Sequence, residues 1–292
     1  MLFDQFRPGE VNRAREVHWC ASGKVLNVGL ALAHLGARCR TLSLLGGAPR
    51  LRIEREFADV QAPLRSIATV AETRICTTIL DAASGQTTEL VENAGSPTVA
   101  ELESFTSAFC EEALSAHIMV LTGSLPRGTP ASFYCDLLGG WSGRAILDVR
   151  GPELVAALQR QPFLVKPNRE ELAMTLGRPL DSDERLLSGM RELNQRGATW
   201  VMVSQGKEAL WLTSREQTYR FTPPLVKIVN PIGCGDCLAA GIAWRMDAGD
   251  DVPQAVRYGM AAAAENATML LPSRLDPSQV ERRARDIEWS VT

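Results

Sequence analysis

From residue 23 onward, short apolar runs mostly alternate with longer segments whose apolar positions recur at helical spacing. Over 24–35, Leu26, Leu30 and Ala33 fall on one helical face, and Gly36 closes the segment. The run 39–45 reads as a strand stopping at Gly46-Gly47, and a helix over 99–115 precedes an almost wholly apolar strand at 118–122. The rhythm repeats with helix 130–138 and strand 145–149, helix 154–158 and strand 163–166, then helix 186–196 and strand 200–204. Strands without polar alternation, separated by helices, belong to a parallel sheet covered on both faces. The predicted class is α/β, a mostly parallel sheet with helices on both faces. Its glycine-bearing and polar loops gather at the C-terminal edge of the strands, where open α/β sheets bind ligands.

Two stretches break the rhythm. Residues 73–80 and 87–92, joined by Asp81-Ala-Ala-Ser-Gly85, read as a hairpin, and 3–19 predicts one or two further strands. The expected organisation is a main domain over 21–68 and 94–292, with a small β-lid from 1–20 and 69–93. A second hairpin is expected over 209–213 and 218–221, and an alanine-rich helix through 261–264 to about 270.

A formal net charge of -3 over 292 residues gives no electrostatic case for nucleic acid or anionic lipid. Arg7, Arg13 and Arg15 are interrupted by Glu10 and Glu16, as on a mixed polar surface. The first residues lack the basic start and apolar core of a signal peptide, and no run reaches membrane-spanning length, so the expected location is cytoplasmic. Seven scattered cysteines suit a reducing compartment better than a disulfide framework. Cys234 and Cys237 form a C-x-x-C without a second pair or a nearby histidine, so Cys237 is expected to pack inside a helix.

The strongest chemical signal is Asn230-Pro-Ile-Gly-Cys-Gly-Asp236, followed by an apolar, alanine-rich run. Gly233, Cys234 and Gly235 would form a turn whose N–H groups face outward at a helix N-terminus, ready for a phosphate. Asp236 beside such a turn could take a proton from an attacking hydroxyl, or could simply cap the helix.

Taken with Phe6-Arg-Pro-Gly-Glu-Val-Asn-Arg13, Ser22-Gly-Lys-Val-Leu-Asn27, Glu72-Thr-Arg74, Thr122-Gly-Ser-Leu-Pro126, Lys166-Pro-Asn-Arg-Glu-Glu171 and Val203-Ser-Gln-Gly206, the chain resembles the ribokinase-like PfkB carbohydrate kinases. The nearest branch is that of 1-phosphofructokinases and tagatose-6-phosphate kinases. The resemblance implies ATP- and Mg2+-dependent phosphoryl transfer to a small-molecule sugar phosphate, fructose 1-phosphate or tagatose 6-phosphate, beneath a β-lid through which members often dimerise. It implies Asp236 as base, with Gly233, Cys234 and Gly235 supplying N–H groups. Lys24, Asn27, Arg74 and Gly23 would bind the sugar phosphate, with Arg13 and Arg15 as weaker candidates. Asn168 and Glu171 would lie near magnesium, acting through water in the family pattern, and Lys166 would neutralise phosphate charge. Ser204 and Gly206 would lie under the triphosphate, and Asn266 near the adenine. A kinase for another small sugar or nucleoside, or a catalytically dead sugar-phosphate sensor, are the alternatives.

Three departures fall on the sugar side. Family members carry a first strand ending in Asn-Pro-x-x-Asp, whereas this sequence opens at Met1-Leu-Phe-Asp4, just after that position. A main sheet without that strand would leave its neighbours' backbone groups unpaired. Val25 stands where the branch has glycine, and Pro49 is expected to tighten a turn at 46–50.

Overall fold

The structure is a computed structural model that describes residues 1–292. Its elements, in chain order, are β1 (Leu2–Phe3), α1 (Lys24–His34), β2 (Thr41–Gly46), α2 (Gly47–Asp59), β3 (Leu64–Thr69), β4 (Cys76–Asp81), β5 (Thr87–Val91) and α3 (Val99–Ala113). Then come β6 (Ile118–Thr122), α4 (Phe133–Leu137), β7 (Arg144–Asp148), α5 (Gly151–Ala157), β8 (Leu164–Val165), α6 (Arg169–Leu176), α7 (Asp183–Gln195) and β9 (Trp200–Val203). The chain closes with β10 (Leu210–Thr213), β11 (Thr218–Phe221), α8 (Cys234–Asp247), α9 (Val252–Ala267), α10 (Pro277–Arg285) and β12 (Trp289–Val291).

The main sheet runs β12-β11-β10-β9-β8-β7-β6, parallel from β6 to β9 and antiparallel from β9 to β12. Its strands are apolar at successive positions because both faces are covered. Ile146, Leu164, Met202 and Leu212 point into one core with α1, α8 and α9, while Leu147, Val165, Val201 and Val203 point into the other with α5, α6 and α7. Two helices approach closely: a Cβ on Gly241 of α8 would lie 2.8 Å from the Cα of Gly259 on α9. That contact seats α8, whose first turn faces α1.

A three-stranded sheet, β1-β4-β5, stands apart from the main sheet, with β1 parallel to β4 and β5 antiparallel to it. The opening segment contributes less than expected: only Leu2–Phe3 forms a strand, with an isolated bridge from Leu2 to Glu16. The segment 46–50 is not a loop. Pro49 is buried in the first turn of α2, where its missing N–H has no helical partner to lose. Strand β3, which follows, was not foreseen, because 64–69 contains Arg65 and Ser66.

The feature with the largest consequence is that β2 and β3 form a separate two-stranded sheet. Neither β2 nor β6 has a partner on its other edge.

Candidate functional site

Strands β6, β7 and β8 end side by side and deliver Thr122, Asp148 and Lys166 to one place. The Asp148 carboxylate is the hub. Its Oδ2 accepts from Lys24 Nζ at 3.1 Å and from Thr122 Oγ1 at 3.2 Å, while Oδ1 lies 3.2 Å from Lys166 Nζ. Burial pushes this acid up, yet the two ammonium groups outweigh burial and hold it below the ordinary aspartate range. Sequence reading left Asp148 out of the site. The signal was a lone acid closing an otherwise apolar strand.

Asp236 lies in the first turn of α8 and is 6% exposed. It does not cap the helix: Gly233 is the N-cap, in the left-handed region at φ +82°, with Cys234 and Gly235 already helical. Asp236 Oδ2 instead accepts from Asn27 Nδ2 at 2.7 Å. Burial raises its proton affinity, the Asn27 hydrogen bond lowers it, nearby Asp148 raises it again, and the net direction is upward. A carboxylate so held can accept a proton more readily than an exposed one.

The turn's donors differ in part from expectation. Cys234 N donates to Pro231 O at 3.3 Å, so its N–H is already engaged, whereas the N–H groups of Gly233, Gly235 and Asp236 have no protein acceptor. A Cβ on Gly235 would stand 3.4 Å from Lys166 Nζ, which sets that lysine against the turn. A 14-residue helix with three free N–H groups and an adjacent ammonium is a strong anion site.

Asn27 and Asn266 both hydrogen-bond within the protein, around the turn that opens α8. Asn27 was expected on the sugar phosphate, but it is buried, with its amide on Asp236 and its oxygen accepting from Ser22 Oγ at 3.1 Å. Asn266 was expected near adenine, but it is fully buried. Its Nδ2 donates to Ile232 O at 2.8 Å and Cys234 Sγ at 3.3 Å, and its Oδ1 accepts from Ser273 N at 2.7 Å. It braces the turn from behind. Cys237 packs in the core with its thiol pushed up by burial.

Lys24 opens α1 after Gly23, whose φ of +125° favours glycine, while Arg74 is exposed without an ion pair and is not brought to Lys24 by any direct contact. Arg13 is exposed in the opening segment, and Arg15 pairs there with Asp4 at 2.9 Å.

Asn168 and Glu171 form a reciprocal cap at the start of α6: Asn168 Oδ1 accepts from Glu171 N at 2.8 Å, and Glu171 Oε2 accepts from Asn168 N at 2.9 Å. Glu171 keeps Oε1, 3.7 Å from Arg150, toward a cavity of about 290 Å³ that Lys24, Ser124, Asp148 and Glu153 also line. A backbone bridge between Asn168 and Ser204 brings the 204–206 loop beside this cap, and Gly206 turns with φ +62°. No group of three or more acidic, histidine or cysteine side chains converges as a metal cage. One carboxylate oxygen outside the helix cap, paired only loosely with Arg150, fits magnesium as it binds with waters and nucleotide phosphates. No helix is long and apolar enough to cross a membrane.

Comparison with known proteins gives the family and the fold. The profile of the pfkB family carbohydrate kinases matches residues 2–273. A tagatose-6-phosphate kinase from Staphylococcus epidermidis is 32% identical over 246 residues, covering 82% of this chain and 79% of the relative. Phosphofructokinase-2 from Escherichia coli, solved with substrates and products, superposes with a TM-score of 0.89 at 25% identity, over 98% of this chain and 94% of that one. Ribokinase from Thermotoga maritima shares the fold, with a TM-score of 0.78 at 19% identity over 97% and 94% of the two chains.

Proposed function

The chain belongs to the pfkB family of carbohydrate kinases, and on that premise we propose that it transfers the γ-phosphoryl group of ATP to a hydroxyl of fructose 1-phosphate or tagatose 6-phosphate. The observation that carries the reading is Asp236, a buried carboxylate with raised proton affinity at the head of an anion-binding turn. It takes the proton as the acceptor hydroxyl attacks. The free N–H groups of Gly233, Gly235 and Asp236, with Lys166 beside them, stabilise charge on the transferred phosphoryl oxygens.

Lys24 and Arg74 are the cations for the acceptor's own phosphate. Lys24 reaches the cavity while tethered to Asp148, and Arg74 lies on the approach to β4. Ser204 and Gly206 form the loop under the nucleotide phosphates. Glu171 Oε1 would hold magnesium or one of its waters, with Asn168 keeping that carboxylate in place. The ion would supply neutralisation of nucleotide phosphate charge. The separate β1-β4-β5 sheet covers the acceptor as a lid, and exposed Leu90 and Val91 on β5 are the surface that lid-to-lid pairing of two copies would use.

Mixing the purified protein with ATP and magnesium and adding each candidate separately tests the reading. ADP formation with either phosphosugar, and none with the unphosphorylated sugars, is expected. Turnover of free sugars or nucleosides alone would replace the phosphosugar assignment. Calorimetric phosphosugar binding without ADP formation would make the protein a sensor.

A further inference from the structure

Among the cations around Asp148 and Glu171, only Arg150 has a charge that is not firmly committed. Lys24 and Lys166 both hold the buried Asp148 carboxylate, at 3.1 and 3.2 Å. The Arg150 guanidinium donates no hydrogen bond. Its ionic contact is Nη1 to Glu171 Oε1 at 3.7 Å, and its side chain is 55% exposed. An ion pair this long and this exposed contributes little, so the guanidinium can exchange partners at small cost. The backbone beneath it is fixed. Arg150 is the extended N-cap of α5, and the next residue, Gly151, turns with φ +63°. Gly151 N donates to Thr175 Oγ1 at 2.9 Å, and that hydroxyl donates to Glu171 O at 2.7 Å. One threonine on α6 therefore ties the base of Arg150 to the residue that its tip faces. A fixed base under an unengaged planar fork suits a phosphate, which accepts two parallel N–H donors.

The charges of the cavity point the same way. Its wall, around about 290 Å³, carries Lys24, Ser124, Asp148, Arg150, Glu153 and Glu171. Asp148 is neutralised by its two lysines, which leaves Glu153 and Glu171 facing the cavity with Arg150. A nucleotide phosphate entering there meets a negative wall unless the guanidinium turns toward it. The cavity also borders the nucleotide side, because Asn168, which caps α6 with Glu171, bridges to Ser204. We propose that Arg150 is a phosphate-binding residue of this kinase, leaving Glu171 to hold the γ-phosphate of ATP. The proposal rests on the kinase reading, in which Glu171 Oε1 is the oxygen that faces magnesium. The exchange balances charge: the cation takes the place of the guanidinium at Glu171, and the guanidinium gains the phosphate. Lys24 stays on Asp148 throughout. Arg150 thereby tells a triphosphate from a diphosphate.

Calorimetric binding of the β,γ-imido analogue of ATP and of ADP, each with magnesium and without acceptor, tests this in the absence of turnover. Arg150→Gln is expected to weaken binding of the imido triphosphate by about 10–100-fold, the scale of charge-assisted hydrogen bonds. Its affinities for ADP and for the phosphosugars should stay those of the parent. Arg150→Lys keeps the charge without the fork and should recover part of the loss. Parent and variants should melt together, because the Arg150 side chain is exposed and donates no hydrogen bond. Equal weakening of ADP and the imido triphosphate would overturn the proposal, since a merely structural role moves both. Weakened phosphosugar binding with intact triphosphate binding would remove the nucleotide as the source of the phosphate. A parent that binds no triphosphate would sink the kinase reading and this inference together. A parent and an Arg150→Gln variant that bind it equally well would sink the assignment of Arg150 alone.

Discussion

Asn27 on α1 donates its side-chain amide to Asp236 on α8 across 2.7 Å, joining residues 209 positions apart. This bond does two things at once. It aims the carboxylate, and it offsets part of the burial that raises the acid's proton affinity. Replacing Asn27 with leucine removes that offset, so Asp236 becomes harder to ionise. Because the base works only when ionised, the acidic limb of the pH–rate profile should move to higher pH. An unmoved limb would show that Asn27 does not act through Asp236.

Asp236→Asn should separate activity from stability. Phosphoryl transfer is expected to fall by roughly 10²–10⁴-fold, the range for loss of a positioned general base. The folded-state proton affinity of Asp236 is raised, so its ionised form opposes folding above the ordinary aspartate value. The asparagine variant should therefore be at least as stable as the parent at neutral pH. That advantage should vanish as pH falls and Asp236 becomes protonated. Wild-type-like turnover would remove Asp236 from the chemistry.

Asp148→Asn has the opposite signature. Lys166 is 5% exposed in its side chain and loses its ion-pair partner, which should cost about 3–5 kcal/mol in urea denaturation at neutral pH. The folded-state proton affinity of Asp148 is depressed, so its contribution is present above the ordinary aspartate value and is lost as pH falls through the lower, folded one. The parent and variant curves should converge in strong acid. Removing a neighbouring negative charge should also move the acidic limb set by Asp236 to lower pH.

Glu171→Gln keeps an oxygen for the Asn168 N–H and should leave Tm nearly unchanged. Its weaker attraction for a cation should raise the magnesium concentration needed for half-maximal rate, with partial recovery at high magnesium. An unchanged magnesium profile would reduce Glu171 to a helix cap.

Gly233→Ala places a Cβ at φ +82°, 3.0 Å from Pro272 Cβ and 3.4 Å from Asn27 Nδ2. Strain of about 1–3 kcal/mol is expected. Activity should fall further than that alone would cause, because the shift also disturbs the Asn27–Asp236 bond. Cys234→Ala, whose backbone N–H is turned toward Pro231, should change both quantities little.

Much of the fold was legible because local pattern and tertiary environment agree. The predicted 118–122 strand and 209–213 with 218–221 hairpin recur as β6, β10 and β11. Strand β3 escaped notice because half-buried edges tolerate polar residues such as Arg65 and Ser66. In the site, Asp236 was found through its glycine-bounded turn, whereas Asp148 was not, because a lone acid closing an apolar strand does not say which distant groups meet it. Its importance lies in Lys24 and Lys166, 124 positions before it and 18 after it, converging on it.

By itself, the sequence determined the alternation of strands and helices, the family, and the loops that carry chemistry, since all are written in short-range spacing. Only the tertiary structure decided which groups share a charge, that Asn27 and Asn266 hydrogen-bond to Asp236 and to the turn, and that β2 and β6 both line one open cleft. Those outcomes depend on which distant segments meet. Burial, hydrogen-bond satisfaction and edge pairing are properties of that meeting, and no local pattern encodes them.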